Sequence, residues 1–386
     1  MQKAKIMNPL IHNPFFTTTE IPAECFCDRA KETEDIIRIL TNGNNLVIKG
    51  QRRMGKSGLI HHVFNDPRIV KKYNTFYFDI LETSSLDEFT YLLGRTIYKQ
   101  VAPKGKKAVD SFFTIVKSFV PRIAADPVSG QSGLEFSYRQ VQDPLVTLDQ
   151  MFTYLEQSAK PNLVAIDEFQ QIGEYAENKV EAFLRARIQR MNNAKFIFSG
   201  SERHMLDLMF FSEDRPFYDS ARNMDITAIP EDTYCEFAIR MFRGYGKELE
   251  ESAARYVYHL FDGLTYYMQA TMNEAFAMTL AGESCAKEGA RRAVTSLLAS
   301  NEGRIKEALS RLTVVQKRVL YAIALAGQEE EATSSDFIRR NGLQSASSVQ
   351  SACKGLVDKK FLIKTGTKYI LPDKLMMLWI RENYGG

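Results

Sequence analysis

The stretch "VIKGQRRMGKSGLI", residues 47–60, sets Gly50 and Gly55 five positions apart with Lys56 and Ser57 directly behind them. No other feature constrains the fold as much. The run "NNLVIK" before it (44–49) suits a buried strand, and after it Leu59, Ile60, Val63 and Phe64 recur at helical spacing. Strand, glycine-rich turn and helix in that order aim backbone N–H groups and a helix N-terminus at a polyphosphate. The glycines allow a close backbone approach that a side chain would block. On this reading Gly50, Gln51, Arg52, Arg53, Met54, Gly55, Lys56, Ser57 and Gly58 wrap a nucleotide's phosphates. Lys56 then neutralises the β- and γ-phosphates, and the Ser57 hydroxyl is a ligand for Mg2+.

A chain built around such a loop needs a second strand that ends in an acid. "PNLVAIDEFQQI" supplies four apolar residues, 163–166, and then Asp167 and Glu168. Asp167 is the expected partner of the metal, and Glu168 the base that activates the attacking water. A third strand in "AKFIFSGSERHM" ends at Ser199 and Ser201, polar groups placed to sense the γ-phosphate. Runs at 74–81 and 223–229 complete a sheet, and helical patterns at 147–159 and 177–191 alternate with it. That alternation predicts an α/β fold with a mostly parallel, doubly wound sheet. Lys56 and Asp167 lie 111 positions apart, whereas two plain βα units of about 30 residues each need only some 60–70. The excess reads as an insertion near 100–146, with a basic amphipathic helix and a short hairpin in "SGLEFSYRQVQDP".

Downstream, residues 231–311 are a nearly continuous series of helical patterns whose aromatics and methionines read as bundle core. From 312 the order becomes helix, helix, turn, helix and β-wing, a winged helix. Val349, Ala352, Cys353 and Leu356 face inward on its third helix. Ser347, Ser348, Gln350, Ser351 and Lys354 face outward, and the wing adds Lys364, Thr365 and Lys368. Such a helix enters a major groove while lysines meet phosphates. Residues 311–386 carry 12 Lys and Arg against 7 Asp and Glu, a balance of +5 inside a chain of net +3. A basic module on a near-neutral body points to an anionic partner. The expected division is therefore 1–230 for the core, 231–311 for a helical lid and 312–386 for the winged helix.

These blocks resemble a prokaryotic P-loop ATPase family of the AAA+/STAND type, archaeal-ATPase-like with a C-terminal winged helix. The resemblance is carried in order by "FCDRAKETEDIIRIL", "GQRRMGKSGLI", "LVAIDEFQ", "FIFSGS" and "RPFY". It implies ATP as the ligand, sheet order 2-3-4-1-5, a helical lid, and Phe26, Asp28 and Arg29 near the adenine side. The chain departs from the family where Thr265 stands in place of the lid proline and no arginine opens that helix. Arg203, Arg215 and Arg222 are candidate finger residues.

The rest is mostly exclusion. The five cysteines are odd in number and mostly isolated, which fits a reducing cytoplasm. Cys25 and Cys27 lack the further ligands that structural zinc needs. No apolar run is long enough for a membrane helix, and Asn and Pro interrupt the N-terminal segment where a secretory leader would need continuity. His61 and His62 follow the loop as packing and solvent residues. No nucleophile–base arrangement and no nuclease acid cluster attaches to a motif. Two functions fit: an ATP-driven switch that binds duplex DNA or a partner through the winged helix, and a signalling ATPase whose winged helix makes only protein contacts. Both leave a nucleotide-dependent homo-oligomer open.

Overall fold

The structure, a computed structural model, describes residues 10–385 apart from 120–121, 126–131, 136–142, 178 and 327–330, with the backbone alone at 122–125 and 132–135. The chain forms two units, residues 18–229 and residues 10–17 together with 230–385.

The first unit is built on a parallel sheet. Its strands are β1 (Leu46–Lys49), β2 (Asn74–Asp79), β5 (Asn162–Asp167), β6 (Ala194–Gly200) and β7 (Arg222–Asp225), in spatial order β2-β5-β6-β1-β7. Counted within the sheet, that is 2-3-4-1-5. β1 and β5 are buried along their whole length, as a strand covered on both faces must be. Helix Leu86–Val101 starts where the Ser85 side chain accepts from the Glu88 N–H, and helix Pro144–Glu156 where Asp143 accepts from Val146 N–H. Helix Val180–Ile188 turns Val180, Leu184 and Ile188 inward. Part of the unit's core is aromatic: Phe169, Phe198, Phe210 and Phe217 pack with ring centroids 4.5–5.7 Å apart.

The inserted segment contributes to this core. Helix Lys106–Ile115 buries Phe112, and Val116 and Phe119 follow it inward beside Ile97, Val101 and Met151. The hairpin pairs β3 (Arg122–Ala125) with β4 (Ser132–Glu135), so its first strand lies upstream of the alternating stretch that suggested it. The rest of that stretch, 136–142, lies outside the described residues.

The second unit is helical. Helices Glu231–Gly244, Glu251–Leu260, Thr265–Met278 and Lys287–Ser310 are joined by a two-residue parallel pairing of β8 (Glu248–Leu249) with β9 (Ser284–Cys285). Helices Val314–Ala326, Ser335–Arg340 and Ala346–Asp358 follow, then the wing β10 (Ile363–Thr365) and β11 (Lys368–Ile370), then helix Lys374–Tyr384. The N-terminal segment belongs to this unit. The Phe15 ring lies 5.6–6.0 Å from those of Phe237, Phe242 and Phe276. Asn13 donates to the Asn273 carbonyl at 2.9 Å while Asn273 donates back to that of Phe15 at 2.7 Å. Before helix Thr265–Met278 the turn is made by Asp262 and Gly263, both at positive φ, and Thr265 opens the helix.

Candidate nucleotide site and winged-helix face

β1 ends at Lys49, and the chain turns through residues 50–55 into helix Lys56–Phe64. The turn uses positive φ at Arg53 (70°) and Gly55 (91°), and the helix begins with no side-chain cap. Its first N–H groups therefore face the loop without an internal partner. Lys56 folds back over this loop, donating to the carbonyls of Gly50 at 2.8 Å and Gln51 at 3.3 Å. It is 6 % exposed. Burial pushes its ammonium below the ordinary lysine value, the charges of Glu168 and Asp167 oppose that shift, and Arg203 and Arg52 add to it. Gln51 and Arg52 are exposed, Arg53 half-buried, and Met54 and Gly58 buried.

Gly50 packs against the chain just beyond β7, at Ile226. A Cβ there would stand 3.0 Å from the Ile226 carbonyl oxygen. Gly50→Ala should therefore cost about 1–2 kcal/mol and lower the melting temperature by roughly 2–8 °C. A thermal melt of the variant that overlays the wild type would refute that packing.

Asp167, at the end of β5, is 2 % exposed, and both its carboxylate oxygens accept hydrogen bonds. Its Oδ2 accepts from the Ser57 hydroxyl and from the Tyr77 hydroxyl, each at 2.5 Å, and its Oδ1 accepts from the Glu168 N–H at 3.1 Å. Glu168 adopts a left-handed backbone conformation, φ 56°, a costly geometry that concentrates at functional sites. Its Oε2 accepts from the Gln170 amide at 2.6 Å and from the Ser201 N–H and hydroxyl at 3.2 and 2.9 Å. The structure thus brings Lys56, Ser57, Asp167, Glu168 and Ser201 to one end of the sheet. Ser199 stands apart. It is 0 % exposed beside β1, and its hydroxyl has no partner among the described residues.

Two residues of this cluster escaped the sequence reading. Tyr77 is one of them. It lies two positions before Asp79, which pairs in register with Asp167, so only the strand order shows that its hydroxyl reaches the acid. Gln170 is the other, buried and turned back onto Glu168.

Around the loop, Phe26 stacks flat on His62 with ring centroids 3.9 Å apart, and His61 lies against Tyr77 at 4.3 Å. Asp28 and Arg29 both have positive φ, and the Arg29 guanidinium reaches the Thr227 carbonyl at 2.6 Å. Of the three candidate finger arginines, Arg203 donates to the Ile226 carbonyl at 3.2 Å, close enough to bias Lys56. Arg215 is paired with Glu181, and Arg222 is exposed on β7. All five cysteines are buried and none forms a disulfide, and the described residues contain no cluster of three potential metal ligands from His, Cys, Asp and Glu. None of the helices described is long and apolar enough to cross a membrane.

In the second unit the helix Ala346–Asp358 is capped by Ser345 and buries Val349, Ala352, Cys353 and Leu356. Ser347, Gln350, Ser351 and Lys354 are exposed and Ser348 is half-buried. Lys364, Thr365 and Lys368 are exposed on the wing. In the same unit, Asp373 caps the last helix, accepts from the Tyr267 hydroxyl at 3.2 Å and pairs with Arg304 at 3.3 Å.

The sheet order, the glycine-rich loop between β1 and a helix, and the acid at the end of β5, one strand removed from β1, define a P-loop NTPase followed by a winged helix. The chain belongs to the family described as "ATPase domain predominantly from Archaea", which matches residues 26–270. The family described as "probable winged helix domain" matches residues 304–382. Among relatives, an "uncharacterized ATP-binding protein" of Methanocaldococcus jannaschii is 25 % identical over 203 residues, covering 51 % of this chain and 48 % of the relative. A second of that description from the same organism is 26 % identical over 203 residues, covering 51 % and 53 %. The chain spans about half the length of the curated relatives it matches. Among solved structures, a Walker-type ATPase of Pyrococcus abyssi superposes with TM-score 0.65 at 18 % identity over 95 % of this chain and 99 % of that one. The Aeropyrum pernix ORC1 protein in complex with DNA superposes with TM-score 0.54 at 11 % identity, covering 96 % and 97 %. These structural likenesses are likenesses of fold.

Proposed function

We propose that the chain binds and hydrolyses Mg2+-ATP at residues 50–58, 167–168 and 201, and that nucleotide state governs the binding of duplex DNA by the winged helix. The observation that carries the nucleotide reading is the junction of Ser57 with Asp167 beneath a buried Lys56. The residues fit the ligand. Gly55, at positive φ, turns the loop into a helix start that offers N–H groups, and Lys56 supplies a buried cation beside them.

Each residue then has a task. The loop N–H groups and Lys56 bind the phosphate oxygens and hold the transferred group in line. Ser57 and Asp167 would hold Mg2+, which when bound neutralises charge developing on the phosphate oxygens. Glu168 takes the proton of the attacking water. Ser201 and Gln170 set where that carboxylate waits. Phe26, stacked on His62 of the loop helix, supplies an apolar face on the adenine side.

DNA binding rests on the outward face of helix Ala346–Asp358 and on the lysines of the wing, and a protein of the same fold, ORC1 of Aeropyrum pernix, was solved in complex with DNA. The reading in which the winged helix makes protein contacts only is favoured by one feature. The Tyr267–Asp373–Arg304 contacts fasten its last helix to the lid helices of the same unit.

Fluorescence anisotropy with ATP, with ADP and with neither, at two salt concentrations, separates the two. Lys354→Glu with Lys364→Glu should weaken binding to every duplex and flatten the slope of log K against log salt by about two. Gln350→Ala should instead relax sequence preference by about 1–3 kcal/mol while general affinity survives. Wild-type protein that shows no salt-dependent DNA binding in any nucleotide state would leave protein contacts as the module's role.

A further inference from the structure

Asp167 is more crowded than a metal acid of a phosphate-loop site needs to be. Its Oδ2 is shared by two hydroxyls at 2.5 Å, one from Ser57 on the loop helix and one from Tyr77 on the neighbouring strand. Tyr77 sits opposite Ala165 in the β2–β5 register, and its ring lies 4.3 Å from that of His61, one turn along the helix from Ser57. It therefore touches both the acid strand and the loop helix.

The geometry points to Tyr77 as a positioning residue for the metal: its hydroxyl fixes the rotamer of Asp167 so that Oδ2 already faces Ser57 before Mg2+ arrives. The inference rests on the reading of Ser57 and Asp167 as the metal residues, and deepens it. A carboxylate with one oxygen on a backbone N–H and the other on two hydroxyls has a single orientation left. Outer-shell donors of this kind align and tune the groups that bind a metal, and their loss costs about 10- to 100-fold in metal affinity. Ser57 gives up part of its bond to Asp167 if its oxygen turns to a cation, and the Tyr77 hydroxyl then keeps the carboxylate from swinging away. Tyr77 touches no substrate atom and carries out no chemistry.

The test is a titration of ATP affinity against free Mg2+ for wild type and Tyr77→Phe, with a fluorescent ATP analogue as the probe. The Phe ring keeps the contact with His61, and a thermal melt confirms that the variant is folded. Affinity in EDTA should stay within about twofold of wild type, while the Mg2+ concentration for half of the gain should rise about tenfold. A purely structural role would lower the melting temperature and leave the Mg2+ midpoint in place, and that result overturns the proposal. If wild-type affinity does not respond to Mg2+ at all, the metal reading of Ser57 and Asp167 falls and Tyr77's role with it. If wild type responds and Tyr77→Phe responds identically, only the role of Tyr77 falls.

Discussion

Lys56→Ala should lose Mg2+-ATP affinity by about a hundredfold, some 3 kcal/mol, in an equilibrium titration. The ammonium is nearly out of solvent, resting on the Gly50 and Gln51 carbonyls, so its desolvation cost is already met in the folded chain. A phosphate that meets it gains an interaction little screened by water. Removing the group leaves two loop carbonyls to water and relieves a buried charge, effects of opposite sign on stability. The variant should therefore stay folded, with the loss confined to the ligand. The measurement is calorimetric titration with a slowly hydrolysed ATP analogue, paired with a melt. A folded variant with wild-type affinity would remove residues 50–58 from the site.

Glu168→Gln should bind Mg2+-ATP within about twofold of wild type and release phosphate about 100-fold or more slowly, because general-base assistance contributes roughly 10²–10⁴-fold. The amide keeps the shape of the side chain and loses the capacity to take a proton. The three donors that now point at Oε2, from Gln170 and Ser201, would face an amide that satisfies them less well, so some local shift accompanies the change. Single-turnover phosphate release separates the two effects, since a change of position alone would leave a rate that still depends on pH as the wild type does. Equal rates in variant and wild type would remove Glu168 as the base.

What was legible in advance was local. A loop with its lysine and serine, an acid after an apolar run, and a helix with one apolar and one polar face each sit within about a dozen residues, and their physics is set by neighbours in the chain. The sheet order was different, because it came from family resemblance and no periodicity carries it. The least legible features depend on that order. Tyr77 and Asp167 are 90 positions apart, and their contact exists because β2 lies beside β5 in a particular register. Phe15 packs among aromatics more than 200 residues later, and nothing in "NPLIHNPFF" names those partners. Nothing in the chain singles out Gln170, because its role depends on the turn that folds it back on Glu168. Pairing of the hairpin was misplaced for a related reason: alternation marks a strand without naming its partner.

ATP affinity measured in EDTA and across free Mg2+, for wild type and for Asp167→Asn, tests the central claim most directly. The junction of Ser57 with Asp167 predicts wild-type affinity that climbs with Mg2+ and an Asp167→Asn variant that matches wild type in EDTA yet loses most of that climb. Wild-type affinity that is the same with and without Mg2+, or an Asp167→Asn variant that gains from the metal as much as wild type does, would contradict a Mg2+-nucleotide site at this end of the sheet.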